Sequence, residues 1–156
     1  MRAVLVVLAL YCAASCVPTD SAGDATSFDT SASDVVKSDV DQYVAGLEKS
    51  GAKGWVTVKL VVSDPIPQDT GFYTWTVEVH TTEGEPLTGA EVIAKPTMPD
   101  HEHGTYPPTT TGKDEGGGRY RLEEMNLFMP GVWQIEIRVN SEADDDTVVY
   151  RFDLEG

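Results

Sequence analysis

From Trp55 to the C-terminus, apolar residues return at every second position. Val56, Val58, Leu60 and Val62 alternate with Thr57, Lys59 and Val61; Tyr73, Trp75, Val77 and Val79 alternate with Thr74, Thr76, Glu78 and His80. The same period runs through Ala90, Val92 and Ala94, then Trp133, Ile135, Ile137 and Val139, and finally Val148, Tyr150, Phe152 and Leu154. A period of two puts one row of side chains in a core and the next in water, which a helix does not do. Turn-forming residues interrupt it: DPIP at 64–67, EGEP at 83–86, GGG at 116–118, Met129-Pro130-Gly131 and EADDD at 142–146. Tyr120 and Leu122 form a further short strand, and a polar loop is expected from Met98 to about Gly118. No βαβ alternation or repeat interrupts the series. The spacing predicts an all-β fold, an immunoglobulin-like antiparallel β-sandwich of about seven strands, over residues 43–156. Residues 35–51 leave two readings open. Val36, Val40, Tyr43, Val44 and Leu47 fall near helical spacing, whereas Tyr43, Ala45 and Leu47 alternate as in an edge strand.

The opening MRAVLVVLALYCAASC has one basic residue, a short apolar run and small residues before Cys16. It predicts a lipoprotein-type signal peptide over residues 1–15, with Cys16 lipidated; an ordinary secretory peptide cut nearby is the alternative. Either places the mature chain outside the cytosol. With the lipid it is anchored to a membrane, at the periplasmic face of the outer membrane if the cell is Gram-negative. Residues 16–42 are rich in Ser, Thr and Asp and read as a flexible tether. Cys12 and Cys16 are the only cysteines, and cleavage removes the first, so no disulfide within the chain is expected.

The formal net charge of -15 argues against nucleic acid as a partner. No nucleophile elbow or phosphate-binding glycine loop is present, so an enzyme is not expected. One constellation remains. His101 and His103, one residue apart, point to the same side of an extended segment, with Met98 close by and Met125 and Met129 near a later turn. Imidazole with thioether suits copper better than calcium or magnesium; with Asp100 the imidazoles also suit zinc. His80, at the wet end of a strand, is a separate candidate. Structural readings stand beside these. Met98 continues the inward parity of Val92 and Ala94, Met129 beside Phe128 plugs an end of the sandwich, and Asp100 and Glu102 are ready acceptors for the histidines.

MPDHEHG, followed by NLFMPGVW, with GEPLTGAEV before and GGGRY between, resembles the YtkA-like domain. The likeness runs from about Gly46 to Leu154. It implies an exported or membrane-anchored immunoglobulin-like sandwich and a candidate copper binder, related to domains found beside copper-handling and cytochrome-oxidase-assembly proteins. It carries Met98, His101 and His103 onto the first motif and Met129 onto the second. Glu102 stands where the family often has a small residue. Two functions follow as expectations. One is a lipoprotein that buffers or delivers copper, with a copper-handling or membrane complex as partner. The other is a non-enzymatic adaptor domain without metal.

Overall fold

A computed structural model describes residues 39–156. The expected signal peptide, the lipidation at Cys16 and the tether as far as residue 38 lie outside the described residues. In chain order the strands are β1 (Leu47–Ser50), β2 (Val56–Asp64), β3 (Gly71–Thr81), β4 (Glu91–Met98), β5 (His103–Gly104), β6 (Thr110–Thr111), β7 (Lys113–Gly116), β8 (Arg119–Leu127), β9 (Gly131–Asn140) and β10 (Asp145–Leu154). They form two antiparallel sheets. The first has the order β1-β2-β3-β8-β7; the second is β10-β9-β4-β5, with β6 also paired to β4. The sheets face each other across the core, an all-β sandwich.

The alternating residues supply that core. Val58, Leu60, Trp75, Val77, Ile135, Ile137 and Tyr150 are fully buried, as are Tyr120 and Leu122. Fully burying one such aliphatic side chain contributes about 1.5–3 kcal/mol, which offsets the entropy of ordering the strands. Trp75 lies edge-on to Tyr150 and to Phe152, with ring centroids 5.8 Å apart in each pair. Tyr150 belongs to the second sheet, and its hydroxyl donates to the Val58 carbonyl of the first at 2.6 Å. Tyr120 accepts from the Ala90 amide at 3.0 Å and donates to the Leu87 carbonyl at 2.9 Å, fixing the turn that leads into β4.

Two local expectations change, and one left open is resolved. Val62, expected inward, is exposed, and Ser63 is buried instead. The β2–β3 register shifts between Leu60 and Val62, and such a bulge reverses the faces of the residues after it. The Ser63 amide donates to the Tyr43 hydroxyl at 3.0 Å and its hydroxyl to the Pro65 carbonyl at 2.6 Å, so the buried polar groups are satisfied. The polar segment 98–118 is more than a loop: it contains a 3-10 turn at Pro99–His101 and the short strands β5, β6 and β7. They bring the strands to ten where about seven were expected. Finally, of the two readings open for residues 35–51, residues 47–50 take that of the edge strand. Just before them, at the end of the stretch expected as tether, Asp41 holds β10: its amide donates to the Arg151 carbonyl at 2.7 Å and its carboxylate accepts from the Arg151 amide at 2.8 Å.

Candidate functional site

The MPDHEHG motif begins in β4, turns through the 3-10 segment and returns as β5. Glu102 makes the reversal with a left-handed backbone, φ 54°. β5 pairs with β4 so that His103 lies opposite Met98 and Gly104 opposite Thr97. Directly opposed residues of an antiparallel pair project to the same face, so the His103 imidazole and the Met98 side chain share a side. Gly104 is required by the closeness of this return. A β-carbon there would stand 2.7 Å from the Pro96 carbonyl oxygen.

The second motif closes over the first. Met98 is 1 % exposed, and its terminal methyl abuts Gly131. Trp133, fully buried on β9, donates its indole N–H to the Met129 carbonyl at 2.8 Å, which pins the Met129-Pro130-Gly131 turn. The His103 ring stacks on Phe128, with centroids 5.8 Å apart and planes 17° from parallel, and presents itself to the edge of Trp133 at 6.3 Å. Phe128 and Trp133 lie 5.8 Å apart at 70°. A wall of two aromatic rings therefore backs one imidazole. His101, exposed at the end of the 3-10 turn, brings its ring to 5.7 Å from that of His103.

The site residues read from sequence separate as follows. Met98, His101 and His103 are brought together by β4 and β5; Met129 is half-buried against the core, in the turn whose carbonyl Trp133 holds. Met125 is fully buried in the core. His80 lies at the far end of the sandwich. Gly71 pairs with Leu127 beside the histidine end, and the eight residue steps from Phe72 to His80 span roughly 25 Å. Neither Asp100 nor Glu102 hydrogen-bonds an imidazole among the described residues. The His103 Nδ1 is 3.3 Å from the Gly104 carbonyl oxygen. Trp133 was legible in the sequence only as core, and Phe128 only as the neighbour of Met129. Their place beside His103 had a signal, the FMPGVW run, but no spacing rule says which ring meets which.

No group of three or more His, Cys, Asp or Glu side chains assembles as a metal site among the described residues. Among the described residues, then, no carboxylate or thiolate joins the two imidazoles in a three-residue group.

The sequence profile of a family described as YtkA-like matches residues 52–138. That interval runs from the β1–β2 turn through most of β9 and contains both Met/His motifs. No curated protein and no solved structure matches the chain.

Proposed function

The chain belongs to the YtkA-like family, and from that premise we propose that its Met/His end binds copper as cargo, in the monovalent state, for buffering or delivery outside the cytosol. The observation that carries the reading is the pairing of His103 with Met98 across β4 and β5, with the His101 ring 5.7 Å away. A metal–imidazole bond of about 2.0 Å puts the centroids of two imidazoles on one ion roughly 5–6 Å apart, a range that includes the separation of this pair. A proton on His103 Nδ1 directed at the Gly104 carbonyl leaves Nε2 as the free lone pair, the usual arrangement of a ligating histidine. Two imidazoles completed by the Met98 and Met129 thioethers would form a soft set. Monovalent copper accepts it, whereas zinc, calcium and magnesium want further nitrogen or oxygen donors. Met98 would act as a buried ligand from the interior side, compatible with its place in the core because a thioether is an apolar filler.

An exported, lipid-anchored chain with no catalytic role accords with this reading. Anaerobic titration of the full chain with Cu(I), in competition with bicinchoninate, tests it. One equivalent is expected to be withdrawn from the chelator, and the double variant His101→Ala with His103→Ala to lose that ability. Met98→Leu and Met129→Leu preserve apolar volume and are each expected to weaken binding about ten-fold or more, roughly the loss of one soft ligand. Equal competition by wild type and the histidine double variant sinks the copper reading. The second reading, an interaction domain without metal, is favoured by one observation: the most exposed aromatic residues lie at this same end.

A further inference from the structure

The first sheet carries Phe72 near the start of β3, 68 % exposed. Its partner across the ladder is Asn126 on β8. The Asn126 carbonyl accepts from the Thr105 hydroxyl at 2.7 Å, which ties the β5–β6 loop to this sheet; Tyr106, 89 % exposed, is the next residue of that loop. Two residues beyond Asn126 stands Phe128, 47 % exposed and stacked on His103. Three exposed aromatic residues are thus carried at the end of the sandwich that holds the histidine pair. Exposed aromatic residues gathered in this way are what the centre of a protein interface is made of.

The charge around this surface says what covers it. No Lys or Arg occurs between Lys59 and Lys95, between Lys95 and Lys113, or between Arg121 and Arg138, the intervals that supply Phe72, Tyr106 and Phe128. Asp100, Glu102 and Glu124 are exposed there and have no cationic partner among the described residues. Exposed aromatic residues set among carboxylates without a cationic partner are complementary to a surface rich in Lys and Arg. A second copy of the chain, at -15, is repelled. So is the chain's own segment 17–38, with Asp20, Asp24, Asp29 and Asp34 against Lys37 alone. An anionic membrane surface is repelled for the same reason.

We propose that the aromatic end formed by Phe72, Tyr106 and Phe128 is the docking face for a partner protein with a basic contact surface, seated over the histidine pair. Its use in handing over copper rests on the function proposed above; the docking itself does not. Tyr106, almost wholly in solvent, accepts a photo-crosslinking residue such as p-benzoylphenylalanine without disturbing the fold. The full chain carrying it, expressed in its native host, is expected to give one dominant adduct on illumination, joined at a segment of the partner containing Lys or Arg. The same crosslinker at Glu83, in the exposed turn at the far end, is expected to give none. With that partner purified, Phe72→Ser, Tyr106→Ser and Glu124→Lys are each expected to weaken binding about ten-fold, and raising salt from 0.05 to about 0.5 M to weaken the wild type by a similar factor. Cu(I) competition by these three variants is expected to match wild type. Equal crosslinking at Tyr106 and Glu83, no adduct at all, an adduct to lipid or to a second copy, or binding indifferent to Glu124→Lys and to salt overturns the docking proposal. Docking that persists while wild type and the histidine double variant compete equally for Cu(I) overturns the copper reading alone.

Discussion

The terminal methyl of Met98 stands 3.1 Å from the point that a β-carbon on Gly131 would occupy. One residue ends β4 and the other begins β9, so this contact is where the MPDHEHG and MPGVW motifs interlock. Gly131 has φ +116°, a region an L side chain rarely adopts. Glycine is demanded there twice, once by the backbone and once by the methionine. Gly131→Ala is expected to lose about 1–3 kcal/mol in urea denaturation, as overpacking does. Adding Met98→Leu, which withdraws the terminal methyl, is expected to recover part of the loss. Strict additivity of the two changes in a double-mutant cycle would show that the contact is not the limiting one.

Asp146 is 1 % exposed, and its carboxylate receives four backbone amides: Lys53 at 2.9 Å, Trp55 at 2.9 Å, Val56 at 3.3 Å and Thr147 at 2.8 Å. The β1–β2 turn is wrapped around it. A β-carbon on Gly51 would stand 2.1 Å from a carboxylate oxygen, closer than any arrangement of that turn allows. Asp146→Ala strands the four amides and is expected to cost about 3 kcal/mol or more. Gly51→Ala is expected to destabilise by a similar mechanism, read as a lower melting temperature.

The same carboxyl sets an acid dependence. Burial pushes its pKa up, but the four amides together outweigh burial and hold it below the usual carboxylate value. A depressed folded pKa contributes stability that is complete above the unfolded value, about 3.9, and is lost as pH falls toward the folded value. Wild type is therefore expected to lose urea stability more steeply than Asp146→Asn below about pH 4. Parallel curves for the two proteins would remove this assignment.

Tyr150 joins the sheets through its bond to the Val58 carbonyl, and Tyr150→Phe is expected to cost about 1–2 kcal/mol by leaving that buried acceptor short. Burial, then the charges of Asp41 and Glu48, raise its hydroxyl well above an ordinary tyrosine. A raised folded pKa gives stability that is present below about pH 10 and lost as pH climbs toward the folded value. In an alkaline difference spectrum Tyr150 is expected to ionise only with unfolding; early ionisation of every tyrosine would contradict this.

Asp41 also accepts both short contacts from the Lys49 ammonium, at 2.6 and 2.7 Å, while that group reaches the Val149 carbonyl at 2.9 Å. Together with its bonds to Arg151, this covers part of the open edge of β10. Asp41→Ala is expected to speed amide exchange at Arg151 and at residues 41–46 and to cost about 1 kcal/mol. Asp41→Asn, which keeps an acceptor for the Arg151 amide, is expected to show a smaller effect on exchange. Unchanged exchange in the alanine variant would mean that the segment does not guard the edge.

Much of the fold was legible residue by residue. The inward rows Tyr73–Val79, Trp133–Val139 and Val148–Leu154 are buried as their alternation requires, and Met98 follows the parity of Val92 and Ala94 into the core. Val62 departs because a bulge adds a residue to one strand, and nothing in VKLVVSD marks where the extra residue falls. In the candidate site, His101 and His103 were visible as a pair because they lie within one short segment. Phe128 and Trp133 were not visible as their neighbours, since 25 residues separate His103 from Phe128.

Alternation along a strand is a local property: the pleat turns each successive side chain to the opposite face, so the sequence by itself determined that residues 47–156 form an all-β fold and, wherever no bulge intervenes, which residues point inward. Sheet order and register are not local. That β5 returns beside β4, that the Met129 turn closes over Met98, and that Phe72, Tyr106 and Phe128 share one end were decided only when distant strands paired. Those pairings depend on the joint packing of the whole core, which no short stretch of sequence contains.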